Sequence, residues 1–405
     1  MANLSPIAKR VSALPVRLSL LSVSMLTVMA SATIAPSLPA MRQHFAAVPN
    51  ADYWVRLVLT LPALFIAVSA PLIGVSIDRL GRKPVLVASL GLYALAGSSG
   101  LWLTALNSIL WGRALLGLSV AGIMVTATAL IADYYTGTAR GQFLGWQAAF
   151  TALGGVAFLS LGGWLADLNW RDPFLIYFVA LPFLPCVLLF LPEPPRSNSR
   201  TILEPIPDDP ASLPVGLVAL TYGIALLTQI VFYTIPVQIP FYLQELFNAT
   251  ASQSGMAIAL CTLCSAIASF QYQRLKSRLT FFGIYGIAFL NMALGYGVLS
   301  IASTYAIVLL GLAIAGLGLG LLMPNMNLCL TSSTPSTFRG RILGGLTTSF
   351  FFGQFLSPVI SQPLSQAYGL NKAYGMAGAA MAVLAAIALV LVMRDRASLG
   401  TVKIR

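Results

Sequence analysis

Apolar residues gather in long, nearly unbroken runs separated by short polar gaps. The runs extend about 18 to 28 residues, and about 20 helical residues cross the hydrocarbon core of a bilayer. Twelve such runs predict membrane-spanning helices at 18–39, 53–76, 84–104, 108–132, 142–166, 173–192, 215–243, 254–272, 280–300, 304–329, 341–363 and 374–393. Strands of a barrel would alternate polar and apolar positions in runs of about ten. The fold class is therefore an all-α membrane protein. Pro36 and Pro39 interrupt the first span, and Pro236 and Pro240 interrupt the seventh; at such sites helices bend and release backbone carbonyls.

Composition agrees with the pattern. Hydrophobic residues make up 58% of the chain and charged residues 8%, against about half and a quarter in a soluble domain. The charge is unevenly placed. With both termini on the cytoplasmic side, all but five of the 23 lysines and arginines fall in the termini or in cytoplasmic gaps. The exceptions are Arg42, Arg56, Arg171 and Lys372 on the outer side and Arg113 inside the fourth span. This bias orients the chain, and it accounts for the net charge of +12 without nucleic acid, since basic cytoplasmic loops meet anionic lipid headgroups. The expected setting is a multi-pass protein of the inner (plasma) membrane.

The longest polar stretch, 193–213, is rich in Pro, Ser and charge and reads as a linker. It divides the chain into a first six-helix bundle over 1–192 and a second over 214–405. The halves repeat one another. Arg140-Gly141, Gly145 and Gly154 share their spacing with Arg339-Gly340, Gly344 and Gly353, at an offset of 199 residues. Parallel repeats of this kind build transporters whose substrate site lies near the midplane between the halves. Gly145, Gly154, Gly162, Gly163, Gly344 and Gly353 are expected to let helices approach closely. Cys186, Cys261, Cys264 and Cys329 all lie within spans and read as small packing residues. No metal site, cofactor site, paired carboxylates, P-loop or nucleophile constellation is visible, which argues against an enzyme.

Between spans two and three stands Gly74-Val75-Ser76-Ile77-Asp78-Arg79-Leu80-Gly81-Arg82-Lys83, a charged island in an apolar chain. Asp78 closes a helix whose dipole disfavours a carboxylate there; Arg79, Arg82 and Lys83 compensate it, with Asp133 a second partner for Arg82. The residues Gly74, Asp78, Arg79, Gly81, Arg82 and Lys83 resemble the loop motif of the major facilitator superfamily, and the twelve spans, two halves and central linker extend the resemblance over the whole chain. It implies two pseudo-symmetric six-helix bundles moving by alternating access, with this loop and Asp133 as a gate. Arg113, with Gly117 after it, resembles the family's fourth-span arginine element. An intramembrane arginine is a functional candidate by default, and the resemblance implies a part in proton transfer or substrate binding. The fifth span resembles the family's antiporter element at Gly145, Gly154, Gly162 and Gly163. It departs from it where Phe158 and Leu159 replace a Gly-Pro pair. The first span also lacks the acid that many drug/proton antiporters of the family carry.

Polar residues within spans include Gln142, Gln147, Gln229, Gln238, Gln244, Asn291, Asn325, Asn327 and Gln354, with Tyr233, Tyr242, Phe350 and Phe351 as aromatic neighbours. Arg113, Gln147, Gln238, Tyr242, Glu245, Asn325 and Gln354 are taken as the substrate and proton pathway. Glu245, Asp133 and Asp78 are the available proton carriers. The expected function is transport of a small amphipathic organic molecule, with efflux of a drug or hydrophobic metabolite by proton antiport. The alternative is an importer or facilitator without protons. The expected partners are a small-molecule substrate, protons and membrane lipids, with no nucleic acid, and the chain is expected to act as a monomer.

Overall fold

The computed structural model describes residues 13–194, 214–335 and 338–402. The basic residues of the termini up to residue 12 and the linker from residue 195 to 213 lie outside the described residues. Twelve helices are long and apolar enough to cross a membrane, one for each predicted run, and no strand occurs among the described residues. They are α1 Leu14–His44, α2 Ala51–Leu80, α3 Arg82–Leu101, α4 Leu106–Tyr134, α5 Gly137–Leu168 and α6 Asp172–Phe190, followed by α7 Val215–Phe247, α8 Ala251–Lys276, α9 Phe281–Ser300, α10 Tyr305–Ser333, α11 Arg339–Tyr368 and α12 from Leu370. Most run beyond the apolar core by a turn or so. Helical hydrogen bonding continues into polar ends that hydropathy alone truncates.

The proline-marked spans break as their sequences require. In α1 the helix stops at Ala32, makes a short tight turn at Ala35–Ser37 and resumes at Leu38. In α7 it stops at Phe232 and resumes at Thr234. A ring without an N–H cannot continue the ladder of the preceding turn.

Within the first half, α2 packs on α4, α3 on α4, α1 on α5, and α3 on α6. The second half repeats each pairing six helices later, as α8 on α10, α9 on α10, α7 on α11, and α9 on α12. Repeat glycines share environments too. Gly154 faces Met25 of α1 and Gly353 faces Leu226 of α7. In lipid there is little hydrophobic gain from helix pairing, so close packing through small residues supplies the cohesion. Gly117, against the Pro62 carbonyl, and Gly320, against the Ser265 carbonyl, have no room for a methyl.

The halves meet along two seams, α2 with α11 and α5 with α8. One end of the molecule, the basic face, carries Arg79, Arg82, Lys83, Arg140, Arg274, Lys276, Arg339 and Arg341 at its helix ends. The opposite end is the far face.

Candidate functional site: a cavity between the halves

A cavity of about 450 Å³ lies between the halves, within the 300–1,000 Å³ typical of small-molecule sites. The first half contributes Val28, Leu144, Gln147 and Thr151; the second contributes Thr228, Gln229, Phe232, Thr262, Ser265, Ser269, Phe270, Met323, Pro324 and Phe350. The walls are mostly apolar, and no charged side chain is among them. Gln147 donates to the Ser24 hydroxyl at 3.0 Å. Gln229 accepts from Gln354 at 3.4 Å. Each amide is thus held from behind while it faces the cavity. Thr228 is buried with no partner for its hydroxyl, a group that an incoming ligand can satisfy at no cost in lost protein contacts.

The cavity opens toward the basic face. On that side of the seam helices, Gly74, Gly141, Gly145, Gly340 and Gly344 meet nothing within 4 Å. Gly145 and Gly344 therefore do not pack helices in this state, against expectation: both are exposed, with no neighbouring atom near enough to meet a side chain. On the far side the seams are closed. Across α5 and α8, a methyl on Gly163 would sit 2.8 Å from the Ala251 carbonyl, and one on Gly255 would sit 2.5 Å from the Leu159 carbonyl.

Polar contacts reinforce the far closure. Arg56, which the charge pattern set on the outer side, is only 4% exposed. Its Nε donates to Gln238 Oε1 across the seam at 3.2 Å. Its guanidinium lies 3.9 Å from the centre of the Phe241 ring. Asp52, one turn earlier, holds the same guanidinium through its carbonyl at 2.7 Å and its carboxylate at 3.4 Å. Gln238 donates in turn to Ser361 and Gln362 of α11. At the rim, Arg42 pairs with Asp52 at 3.3 Å and reaches Glu245 at 4.0 Å.

The charged loop at the basic face is organised within the first half. Gly81 stands between α2 and α3 with φ +100°, a conformation that side chains resist. Arg82 and Lys83 donate their backbone N–H groups to the two Glu193 oxygens, each at 2.7 Å. A carboxylate at a helix start is favoured by the dipole and by the free amides. Arg82 Nε donates to Asp133 at 3.1 Å, and Lys83 to the Leu188 carbonyl at 2.7 Å. Asp78 is left loosely held, 3.9 Å from Arg82 with its side chain 73% exposed. Arg79 is exposed.

Several residues expected in the pathway lie elsewhere. Tyr242 is buried in the second half, its hydroxyl donating to the Leu299 carbonyl at 2.7 Å. Asn325 is buried beside the cavity wall, its side chain committed to Tyr272 and to the Phe281 carbonyl. Glu245 is a rim residue at the far face. Gln238 belongs to the far closure, not the cavity. Arg113 is fully buried inside the first half, donating to the Val58 carbonyl at 2.9 Å, to the Tyr177 hydroxyl at 2.8 Å and to the Ala30 carbonyl. It ties α4 to α1, α2 and α6 and does not line the cavity. Arg113→Ala is expected to lower the thermal unfolding midpoint in detergent by several degrees, each charged hydrogen bond contributing about 1.5–3 kcal/mol. An unchanged midpoint with lost transport would return Arg113 to the pathway.

The comparisons with known proteins agree with this architecture. Over 161 residues the chain is 34% identical to the class B tetracycline resistance protein of Escherichia coli, a match covering 38% of this chain and 39% of that relative. Over 166 residues it is 30% identical to the arabinose-proton symporter of Escherichia coli, covering 40% of this chain and 34% of that protein. The matched stretches thus span less than half of either relative. The crystal structure of a D-xylose-proton symporter superposes with a TM-score of 0.79 at 16% identity, covering 92% of this chain and 96% of that one. The profile of the Major Facilitator Superfamily matches residues 20–212 and 221–404. With twelve spans, repeated halves and a central cavity, the chain belongs to the Major Facilitator Superfamily and is a multi-pass membrane transporter, not an enzyme.

Proposed function

We propose that this transporter exports a drug-sized, uncharged amphipathic molecule by alternating access, in exchange for protons. The observation that carries the reading is the cavity itself. Its amides, hydroxyls and aromatic rings suit a molecule with a few polar groups on an apolar body. A sugar would bring more hydroxyls than these walls can pair, and an unpaired buried hydroxyl is costly. A permanent ion would find no counter-charge there. The match to a tetracycline resistance protein supports efflux, because removing a drug is one way to resist it.

In this reading the basic face is cytoplasmic, the membrane is the plasma (inner) membrane, and the chain works as a monomer. The structure then corresponds to the state that loads substrate from inside. Gln147, Gln229 and, from behind, Gln354 orient the substrate. Arg56 with Gln238 forms the outer gate, and Asp78 with its loop forms the inner one. None of the described carboxylates lines the cavity, so proton coupling falls to the carboxylates at the two gates. Proton-symport relatives favour a second reading, import of a solute with protons; import or facilitation without protons is the further alternative.

Inverted vesicles carrying the purified chain separate these readings. With the vesicle interior acidic, a fluorescent neutral amphiphile is expected to accumulate, and collapsing the gradient should abolish accumulation. Accumulation that ignores the gradient would remove protons from the account. Movement only in the opposite direction would make the protein an importer.

A further inference from the structure

We propose that Asp167 is a removable clasp between the halves, whose ionised carboxylate sets how often the transporter opens at its far face. Asp167 stands in the last turn of α5, where the dipole of its own helix disfavours a negative charge. Its carboxylate instead reaches across the seam to the start of α8. Oδ1 accepts the Ala251 N–H at 2.7 Å, and Oδ2 accepts the Ser252 N–H at 3.2 Å and the Ser252 hydroxyl. The charge is thus poorly placed in its own half and well placed against the other. Its stabilising effect exists only while the halves touch.

A second observation separates this contact from ordinary helix capping. The start of α8 already has its own cap. Thr250 accepts the Gln253 N–H at 3.2 Å, and Gln253 accepts the Thr250 N–H at 2.9 Å. This reciprocal pair satisfies two of the free amides that open a helix. Asp167 takes the two between them. The helix therefore holds its end without Asp167, and the Asp167 bonds are left to join halves.

The backbone around the clasp is built for close, repeatable contact. Gly255 approaches the Leu159 carbonyl and Gly163 the Ala251 carbonyl, so α5 and α8 interlock over the two turns of α5 before Asp167. On the open side of the cavity the same helix, α5, carries Gly141 and Gly145, where an added methyl would meet nothing within 4 Å. One helix thus bears a closed contact surface at its far end and an unmet one at its basic end. The clasp sits at the far margin of the closed surface, where water can replace its bonds as the seam parts.

The proposal rests on the alternating-access reading, and a distance measurement tests it without any substrate. Spin labels at Trp164 of α5 and Leu246 of α7, on the full chain with its four cysteines replaced and reconstituted in lipid, report the far opening. The parent protein is expected to show one dominant short distance. Asp167→Asn should add a longer distance, with the closed-to-open ratio falling roughly tenfold, the scale of one charged hydrogen bond. Asp167→Glu should restore much of the short distance. Thr250→Ala, which removes the helix's own cap, should lower the unfolding midpoint and leave the distances in place. An unchanged distribution in Asp167→Asn overturns the proposal, as does equal opening by Thr250→Ala, which would mean that the helix end merely frays. An opened seam together with absent proton-driven transport would sink the functional reading and leave the clasp standing.

Discussion

Arg56→Met is expected to shift the resting protein from far-closed to far-open by about a hundredfold and to cut the rate of export at least tenfold. The substitution keeps most of the side-chain volume, so the seam is not left with a hole. What it removes is the link between halves. The bond from Arg56 to Gln238 is charge-assisted and buried, worth about 1.5–3 kcal/mol. The guanidinium over Phe241 adds about 1–2 kcal/mol in a desolvated setting. Gln238 would also keep a buried oxygen without its donor. Asp52, by contrast, is on the same helix as Arg56, so its contact holds no seam together. Roughly 3 kcal/mol lost from one state of a two-state equilibrium is more than a hundredfold. The initial rate and half-saturation concentration in inverted vesicles check it. A higher half-saturation concentration is expected, since the loading state is rarely visited. Parent-like kinetics would show that the Arg56 bond does not gate.

Asp78→Asn is expected to abolish export while the chain still inserts and folds. The reason lies in what Asp78 does not do here. With its side chain 73% exposed and Arg82 3.9 Å away, it contributes little to this state; exposed pairs are worth about 0–1 kcal/mol. Arg82 has a closer carboxylate in Asp133, and the helix turn is held by Gly81 and Glu193. The neighbour of α2 across the seam is α11, which begins at Arg339-Gly340-Arg341. A helix start bearing two arginines attracts a carboxylate. When the basic ends close, Asp78 is the residue of α2 placed to meet it. Its loss should therefore destabilise the far-open state alone, the opposite sign to Arg56→Met. Combining the two substitutions should restore a more balanced equilibrium, though not the parent rate. Normal export by Asp78→Asn would sink this gate.

The twelve spans were legible because a bilayer demands long apolar runs, and the charged loop stood out against them. The paired halves showed in the repeat Arg140-Gly141 and Arg339-Gly340, whose following glycines share environments. Arg56 was harder to place. It lies at the edge of an apolar run, where an exposed loop residue and a buried seam residue look alike. The clue was Asp52 four residues earlier, which on a helix puts both on one face. Glu193 and Asp167 make their bonds across 110 and 84 residues, distances over which local pattern carries no signal. Tyr242 and Asn325 were read as pathway residues because a polar side chain in a span can face either a cavity or another helix. Sequence shows that it needs a partner, not which partner it has. Gln147 and Gln229 did reach the cavity, one from each half.

The most direct measurement concerns which side reaches that cavity. A single cysteine at Gln147, in a chain whose four native cysteines are replaced, can be challenged with a membrane-impermeant thiol reagent from either face. Without substrate it is expected to react from the basic face, the cytoplasmic side in the proposed orientation, and to be protected by a neutral amphiphile. Reaction from the far face alone, or no protection at saturating amphiphile, would contradict the account.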